Sequence, residues 1–98
     1  MTVTKEKNGT SLTIYVEGRL DTTTAPELER ELKTALDDVK DLTFNFGQLE
    51  YISSAGLRVI MSAQKIMSKQ GTMVITNASD EVKEIFEVTG FSSIITIK

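Results

Sequence analysis

Leu42-Thr43-Phe44-Asn45-Phe46, the loop Gly47-Gln48-Leu49-Glu50-Tyr51, and then Ile52-Ser53-Ser54-Ala55-Gly56-Leu57-Arg58 run consecutively through the middle of the chain. The first segment alternates apolar and polar residues, the two-residue period of a half-buried strand. The last places two hydroxyls where an apolar pattern of helical period begins, and serine is a preferred N-cap. The apolar positions Leu57, Ile60, Met61 and Met67, widened by Val59, Ala63 and Ile66, predict a helix from this point to about Lys69. Gly71 follows as a stop signal, with Lys65 and Lys69 near the negative end of the helix dipole. A strand leading into a helix is the unit of an α/β fold.

Upstream of this unit, Lys7-Asn8-Gly9-Thr10 carries a hairpin signal ahead of Leu12-Thr13-Ile14-Tyr15-Val16-Glu17, which alternates cleanly. Thr24-Ala25-Pro26-Glu27 reads as a capping box with an early proline, opening a helix whose buried stripe is Leu28, Leu32, Ala35, Leu36 and Val39. Downstream, Thr72–Thr76 reads as a strand. Ser79-Asp80-Glu81 opens a third helix with Val82, Ile85 and Phe86 inward and Gly90 closing it, and Ile94–Ile97 reads as the last strand. The expected architecture is α/β: one domain over residues 1–98, with a mixed, mostly parallel sheet of about five strands. An N-terminal hairpin starts it, and three main helices lie largely on one face.

In such a sheet the strand-to-helix connections gather at the carboxyl ends of the strands, where α/β folds usually bind their ligands. Asp21, Thr22, Thr23, Ser53, Ser54 and Asn77 all fall in such connections and form the candidate site. One serine suffices as a helix cap, so capping explains half of the Ser53-Ser54 pair. Glycine in a first helical turn costs up to about 1 kcal/mol against alanine. Gly56 is therefore read as keeping the surface flat beside the hydroxyl for another protein to approach. Arg58 stands one turn into the helix, where the dipole disfavours a cation, and it fits a phosphate or an acidic partner as well as plain solvent exposure.

Composition narrows the chemistry. The chain has 98 residues, 40 % hydrophobic and 26 % charged, with a net charge of -3, which disfavours nucleic acid or an anionic membrane as the main partner. With neither cysteine nor histidine, it lacks a thiol nucleophile, a disulfide framework and the commonest general base and metal ligand. No apolar run approaches the roughly 18 residues of a membrane span, and no signal-peptide pattern is present. A cytoplasmic domain without metal or cofactor is expected.

Gly18-Arg19-Leu20-Asp21, Leu49 through Arg58, and Val88-Thr89-Gly90-Phe91 resemble the STAS domain of bacterial anti-sigma factor antagonists, over nearly the whole chain. The serine motif is the most specific of the three. The resemblance implies an anti-anti-sigma factor and not an enzyme. Such a protein, unphosphorylated, binds an anti-sigma factor that is also a serine kinase and so frees a sigma factor. Phosphorylation releases it, and a metal-dependent serine/threonine phosphatase resets it. Carried over, the phosphorylated residue is the serine two places before the Gly-Leu pair, Ser54. The preceding position, often aspartate in the family, is here Ser53, a rival acceptor. Asp21 matches an acidic residue that orients or contacts the kinase, and Thr22, Thr23, Ser53, Ala55, Gly56, Arg58 and Asn77 are the expected partner-binding positions around it. A free monomer is the simplest state.

Competing readings are a non-phosphorylated STAS subunit of a lipid-transport ATPase assembly, a regulator of a non-sigma target, a STAS segment of a membrane transporter, a small-ligand or nucleotide module, and a hydrolase using Ser54. The hydrolase has no histidine to activate its serine. The nucleotide module lacks the Gly-x-x-x-x-Gly-Lys-Ser/Thr pattern.

Overall fold

The structure, a computed structural model describing Met1–Lys98, opens on a hairpin of β1 (Thr2–Asn8) and β2 (Ser11–Leu20). Asn8 pairs directly with Ser11, leaving Gly9-Thr10 as a two-residue turn. Gly9 has φ +63°, and Thr10 has no positive φ. Left-handed backbone at the first central position only, filled by glycine, is the pattern of a type II′ turn, whose twist suits the flanking strands.

After the hairpin come α1 (Ala25–Ala35), β3 (Asp41–Asn45), β4 (Leu49–Ile52), α2 (Ser54–Gln70), β5 (Thr72–Thr76), α3 (Asp80–Val88), a 3-10 turn (Phe91–Ser93) and β6 (Thr96–Ile97). The main path of the sheet is β1-β2-β3-β5-β6, five strands. β1 pairs antiparallel with β2, and the other neighbours pair in parallel. The helices cover one face. Leu12, Ile14, Leu42, Phe44, Met73 and Ile75 from the strands join Leu28 and Leu32 of α1, Ile60 and Met67 of α2, and Val82 and Phe86 of α3 in one buried cluster. Phe86 stacks on Phe46 with ring centroids 6.4 Å apart, which seats α3 at the carboxyl end of β3. Thr13, Tyr15, Thr43, Asn45 and Val74 form the opposite, half-buried face.

A sixth strand lies off the main path. The segment Leu49–Tyr51, expected as loop, belongs to β4, which pairs in parallel with the second half of β2: Gly18 with Leu49, Arg19 with Tyr51 and Leu20 with Ile52. Its burial runs inward at Leu49, outward at Glu50 and Tyr51, and inward again at Ile52. A register shift between Gly18 and Arg19 accompanies the pairing, and a strand with this three-residue spacing has no alternating signature to read.

Three further expectations change. Thr24 precedes α1 but does not cap it with its side chain; its hydroxyl instead accepts from the Asp21 amide (2.8 Å) and donates to the Arg19 carbonyl (2.9 Å). The last strand is only Thr96–Ile97, because the amides of Ile94 and Ile95 are taken by the Phe91 carbonyl of the 3-10 turn and cannot join a ladder. On α2, Met61 is half-buried and Ile66 exposed, so the buried stripe is Leu57, Val59, Ile60, Ala63 and Met67. At the far end of that helix, Gln70 donates through Nε2 to the carbonyls of Leu36 and Val39, both at 2.7 Å. These bonds tie the end of α2 to the segment that follows α1, where the Leu36 carbonyl also accepts from the Val39 amide at 3.2 Å.

Candidate functional site

Ile52 pairs with Leu20, so the residues that follow β2 and β4 emerge side by side. The Ser53 amide donates to the Leu20 carbonyl at 2.9 Å, joining the two connections. Ser53 is the N-cap of α2: its backbone is extended and its Oγ accepts from the Gly56 amide at 3.3 Å. Its carbonyl takes the Leu57 amide at 2.9 Å. Of the four amides that a helix start leaves without intrahelical acceptors, those of Ser54 and Ala55 therefore remain for water or an anion. Ser53 is half-buried. Ser54, the first residue of the helix, is exposed, and its hydroxyl has no hydrogen-bond partner in the chain.

Gly56 is buried and faces inward. A β-carbon there would lie 2.8 Å from Leu20 Cγ, 2.9 Å from Ile52 Cγ1 and 2.9 Å from the Leu20 carbonyl oxygen. The close approach is thus by the chain's own β2 and not by an outside protein, which corrects the reading of Gly56 as a partner-facing surface. Glycine lets α2 sit tightly on the ends of β2 and β4, which lead into Asp21 and Ser53. Gly56→Ala is expected to lower stability by about 1–3 kcal/mol, the range for overpacking a filled core, read from the urea midpoint.

Asp21 is the hub of the neighbouring connection. Its Oδ1 accepts from Thr23 Oγ1 (2.7 Å), the Thr23 amide (3.0 Å) and the Thr24 amide (3.2 Å). The Thr23 hydroxyl, aided by these backbone amides, holds the carboxyl below its ordinary range. Asp21 thereby shapes the turn into α1. A carboxylate favoured in the folded state contributes stability that is present above its unfolded pKa of about 3.9 and disappears as pH falls through the lowered folded value. The stability difference between the wild type and Asp21→Ala is therefore expected to be full at about pH 5 and above and to shrink below about pH 4. Denaturant midpoints measured across that window check it.

The pairing of β2 with β4 adds two residues that the sequence reading did not include. The Arg19 guanidinium lies 4.4 Å from the centroid of the Tyr51 ring, and its Nε lies 3.7 Å from Asp21 Oδ2. Both belong to the quoted motifs, but their contact depends on the register of two strands about thirty positions apart, for which neither motif carries a signal.

Thr22, Ala55 and Arg58 line one groove of about 550 Å³ between α1 and α2, together with Pro26, Glu29 and Lys65. Thr23 is exposed and bonded to Asp21. Asn77 sits apart from this group: it follows β5 in a left-handed conformation (φ 60°) and neighbours Gly47 in the turn between β3 and β4. The edge of the sheet thus gathers Asp21, Thr22, Thr23, Ser53, Ser54, Ala55 and Arg58 closely, with Asn77 on another connection. No helix is long and apolar enough to cross a membrane.

Residues 2–98 match the family model described as STAS domain. The anti-sigma-B factor antagonist of Listeria monocytogenes is 34 % identical over 98 residues, an alignment covering 96 % of this chain and 84 % of the relative. Among solved structures, an anti-sigma factor antagonist from Mycobacterium paratuberculosis superposes with TM-score 0.89 at 20 % identity, covering 98 % of this chain and 83 % of the other. The Bacillus cell fate determinant SpoIIAA shares the fold in both of its forms. The unphosphorylated form gives TM-score 0.77 at 17 % identity, covering 99 % of this chain and 87 % of the other. The phosphorylated form gives TM-score 0.76 at 18 % identity, with coverages of 99 % and 91 %. The chain belongs to the STAS domain family, within its anti-sigma factor antagonists.

Proposed function

We propose that this protein is an anti-anti-sigma factor switched by phosphorylation of Ser54. Unmodified, it binds an anti-sigma factor that is also a serine kinase, and the sigma factor held by that kinase is freed. The kinase then moves the γ-phosphoryl group of ATP to Ser54. The bond from Pγ to the β,γ-bridging oxygen breaks, the bond from Ser54 Oγ to phosphorus forms, the hydroxyl proton passes to a base of the kinase, and ADP leaves. The modified chain dissociates, and a serine/threonine phosphatase hydrolyses the ester to restore it. The chain is a substrate and a binding partner in this cycle, not a catalyst. It acts in the cytoplasm, as a monomer when free, and needs no cofactor, nucleic acid or membrane.

One observation carries the choice of Ser54: the two adjacent hydroxyls differ in their state. Ser53 is committed to capping α2 through Gly56, whereas Ser54 is exposed and unbonded. A phosphate on Ser54 would meet the free amides and positive dipole end of the helix, so the fold tolerates it. An interface fitted to a small neutral hydroxyl would have to desolvate a group of about -1.5 to -2 charge, which disfavours the complex strongly. The switch is local electrostatics read out as binding. Asp21, Thr22, Thr23, Ala55 and Arg58 form the docking surface around the acceptor.

The test is incubation with the serine-kinase partner and ATP, followed by intact-mass and fragment-ion analysis. One phosphoryl group is expected in the wild type and in Ser53→Ala, and none in Ser54→Ala. Modification of Ser53 in place of Ser54, or none at either serine, would overturn the assignment.

A further inference from the structure

We propose that Arg58 binds the phosphate of phosphorylated Ser54 within the same helix, so that modification both adds a dianion to the docking surface and withdraws a cation from it. The inference rests on the reading of Ser54 as the acceptor and assigns to that site a residue of this chain that responds to the modification.

Ser54 and Arg58 are four positions apart near the start of α2. Residues at this spacing are neighbours on one helix face, with β-carbons about 5–6 Å apart. Both are exposed. The guanidinium's planar fork of donors matches phosphate oxygens, and such bonds are roughly twice as strong as those between neutral groups. Arg58 has no competing partner: the chain's two ion pairs are Lys5 with Glu31 and Arg19 with Asp21. Among the other charged groups around it, Glu29 of α1 and Lys65 of α2 line the same groove without pairing to it. Arg19, the other cation near this edge, is engaged by Asp21 and the Tyr51 ring.

In the unmodified protein a cation at this end of the helix opposes the dipole, so Arg58 brings α2 no benefit there. Phosphorylation reverses the sign. The new dianion lies between the dipole's positive end and the guanidinium, and removing Arg58 then removes an attraction instead of a repulsion. A residue serving only to pack α2 would act in the same direction in both states.

The experiment uses the full chain with phosphoserine placed at position 54 during translation, so no kinase is involved and the result does not depend on whether a kinase modifies the protein. Phosphorus NMR follows the second ionisation of the phosphate, ordinarily near pH 6. Its midpoint in the wild type is expected to be about 0.15–0.4 unit lower than in Arg58→Gln, with Arg58→Lys between them. Thermal melts at low salt are expected to show Arg58→Gln destabilising the phosphorylated chain while leaving the unmodified chain unchanged or slightly more stable. Lys65→Gln, about three turns from Ser54, should leave the phosphate titration where it is. Coincident titrations of wild type and Arg58→Gln, or a change in melting temperature of the same sign in both states, would overturn the proposal. If the clamp appears in these measurements but kinases never modify Ser54, the proposed function fails while the intrahelical contact stands.

Discussion

Ser54→Asp is expected to weaken binding to the kinase partner by about a hundredfold or more, and Ser54→Ala to bind at least as tightly as the wild type. The two substitutions remove the same hydroxyl and differ in charge. Aspartate at the first position of α2 is favourable to the isolated protein, since an acid near a helix N-terminus adds about 0.3–1 kcal/mol. Its melting temperature should therefore equal or slightly exceed that of the wild type, and any loss of binding cannot be blamed on unfolding. At the interface the same carboxylate must lose its water without a partner designed for it. A net penalty of about 2.7 kcal/mol already gives a hundredfold loss, well within the several kcal/mol at stake when a charge is buried unpaired. Titration calorimetry or surface plasmon resonance with the purified kinase measures it. Ser53→Ala supplies the contrast: loss of the cap should cost about 0.5–2 kcal/mol of stability while binding and modification continue. If Ser54→Ala and Ser54→Asp bind alike, charge at this position is not the switch.

Gly71→Ala is expected to be the most damaging single methyl group in the chain. A β-carbon at Gly71 would overlap the carbonyl oxygen of Lys40 and lie 2.6 Å from its carbonyl carbon. Neither atom can yield as a flexible side chain does. The Lys40 carbonyl also accepts from the Thr72 amide at 2.8 Å, the bond that sets β5 beside β3 at its first residue. Relieving the overlap means separating the two strands at that point, forfeiting the bond and part of the packing beneath. The expected cost is about 3–4 kcal/mol, combining an overpacking term near the top of its range with one lost hydrogen bond. For a domain of this size that lowers the melting temperature by about 12 °C or more. Gly71 has φ 178°, extended backbone open to any residue, so the clash alone is responsible. Gly9→Ala is the matched control. Nothing lies within 4 Å of its added carbon, but its φ is +63°, and only the left-handed backbone term of about 1–2 kcal/mol should appear. A Gly71→Ala melting temperature no lower than that of Gly9→Ala would show that the strands part without cost.

Much of the site is a local matter and was legible. Ser53 and Ser79 stand at the starts of α2 and α3 as N-caps, accepting from the Gly56 and Val82 amides three residues on. The apolar spacing of each helix and the alternation of β2 and β3 told which face turns inward. Even so, a local reading can assign the right residue the wrong task. Thr24 was in place for a capping box, but Asp21 commands the turn and draws the threonine hydroxyl to backbone groups of the preceding strand. Gly56 stood out correctly as costly in a helix, but what approaches it is Leu20 and Ile52, far back along the chain or on the opposite side of the helix start.

The sequence by itself determined the hairpin, the alternation of strands with three helices, most of the core and the position of a serine pair where a helix begins. These rest on hydrogen bonds and side-chain periods spanning a few residues, which leave a repeating trace. Tertiary structure alone decided that Leu49–Ile52 pairs with β2, that Arg19 meets Tyr51, that Gln70 ties α2 to the segment after α1 and that Gly56 and Gly71 admit a neighbouring backbone. Each joins segments brought together by packing of the core, without a repeating pattern along the chain. A contact made once, between distant positions, has no period from which it can be read.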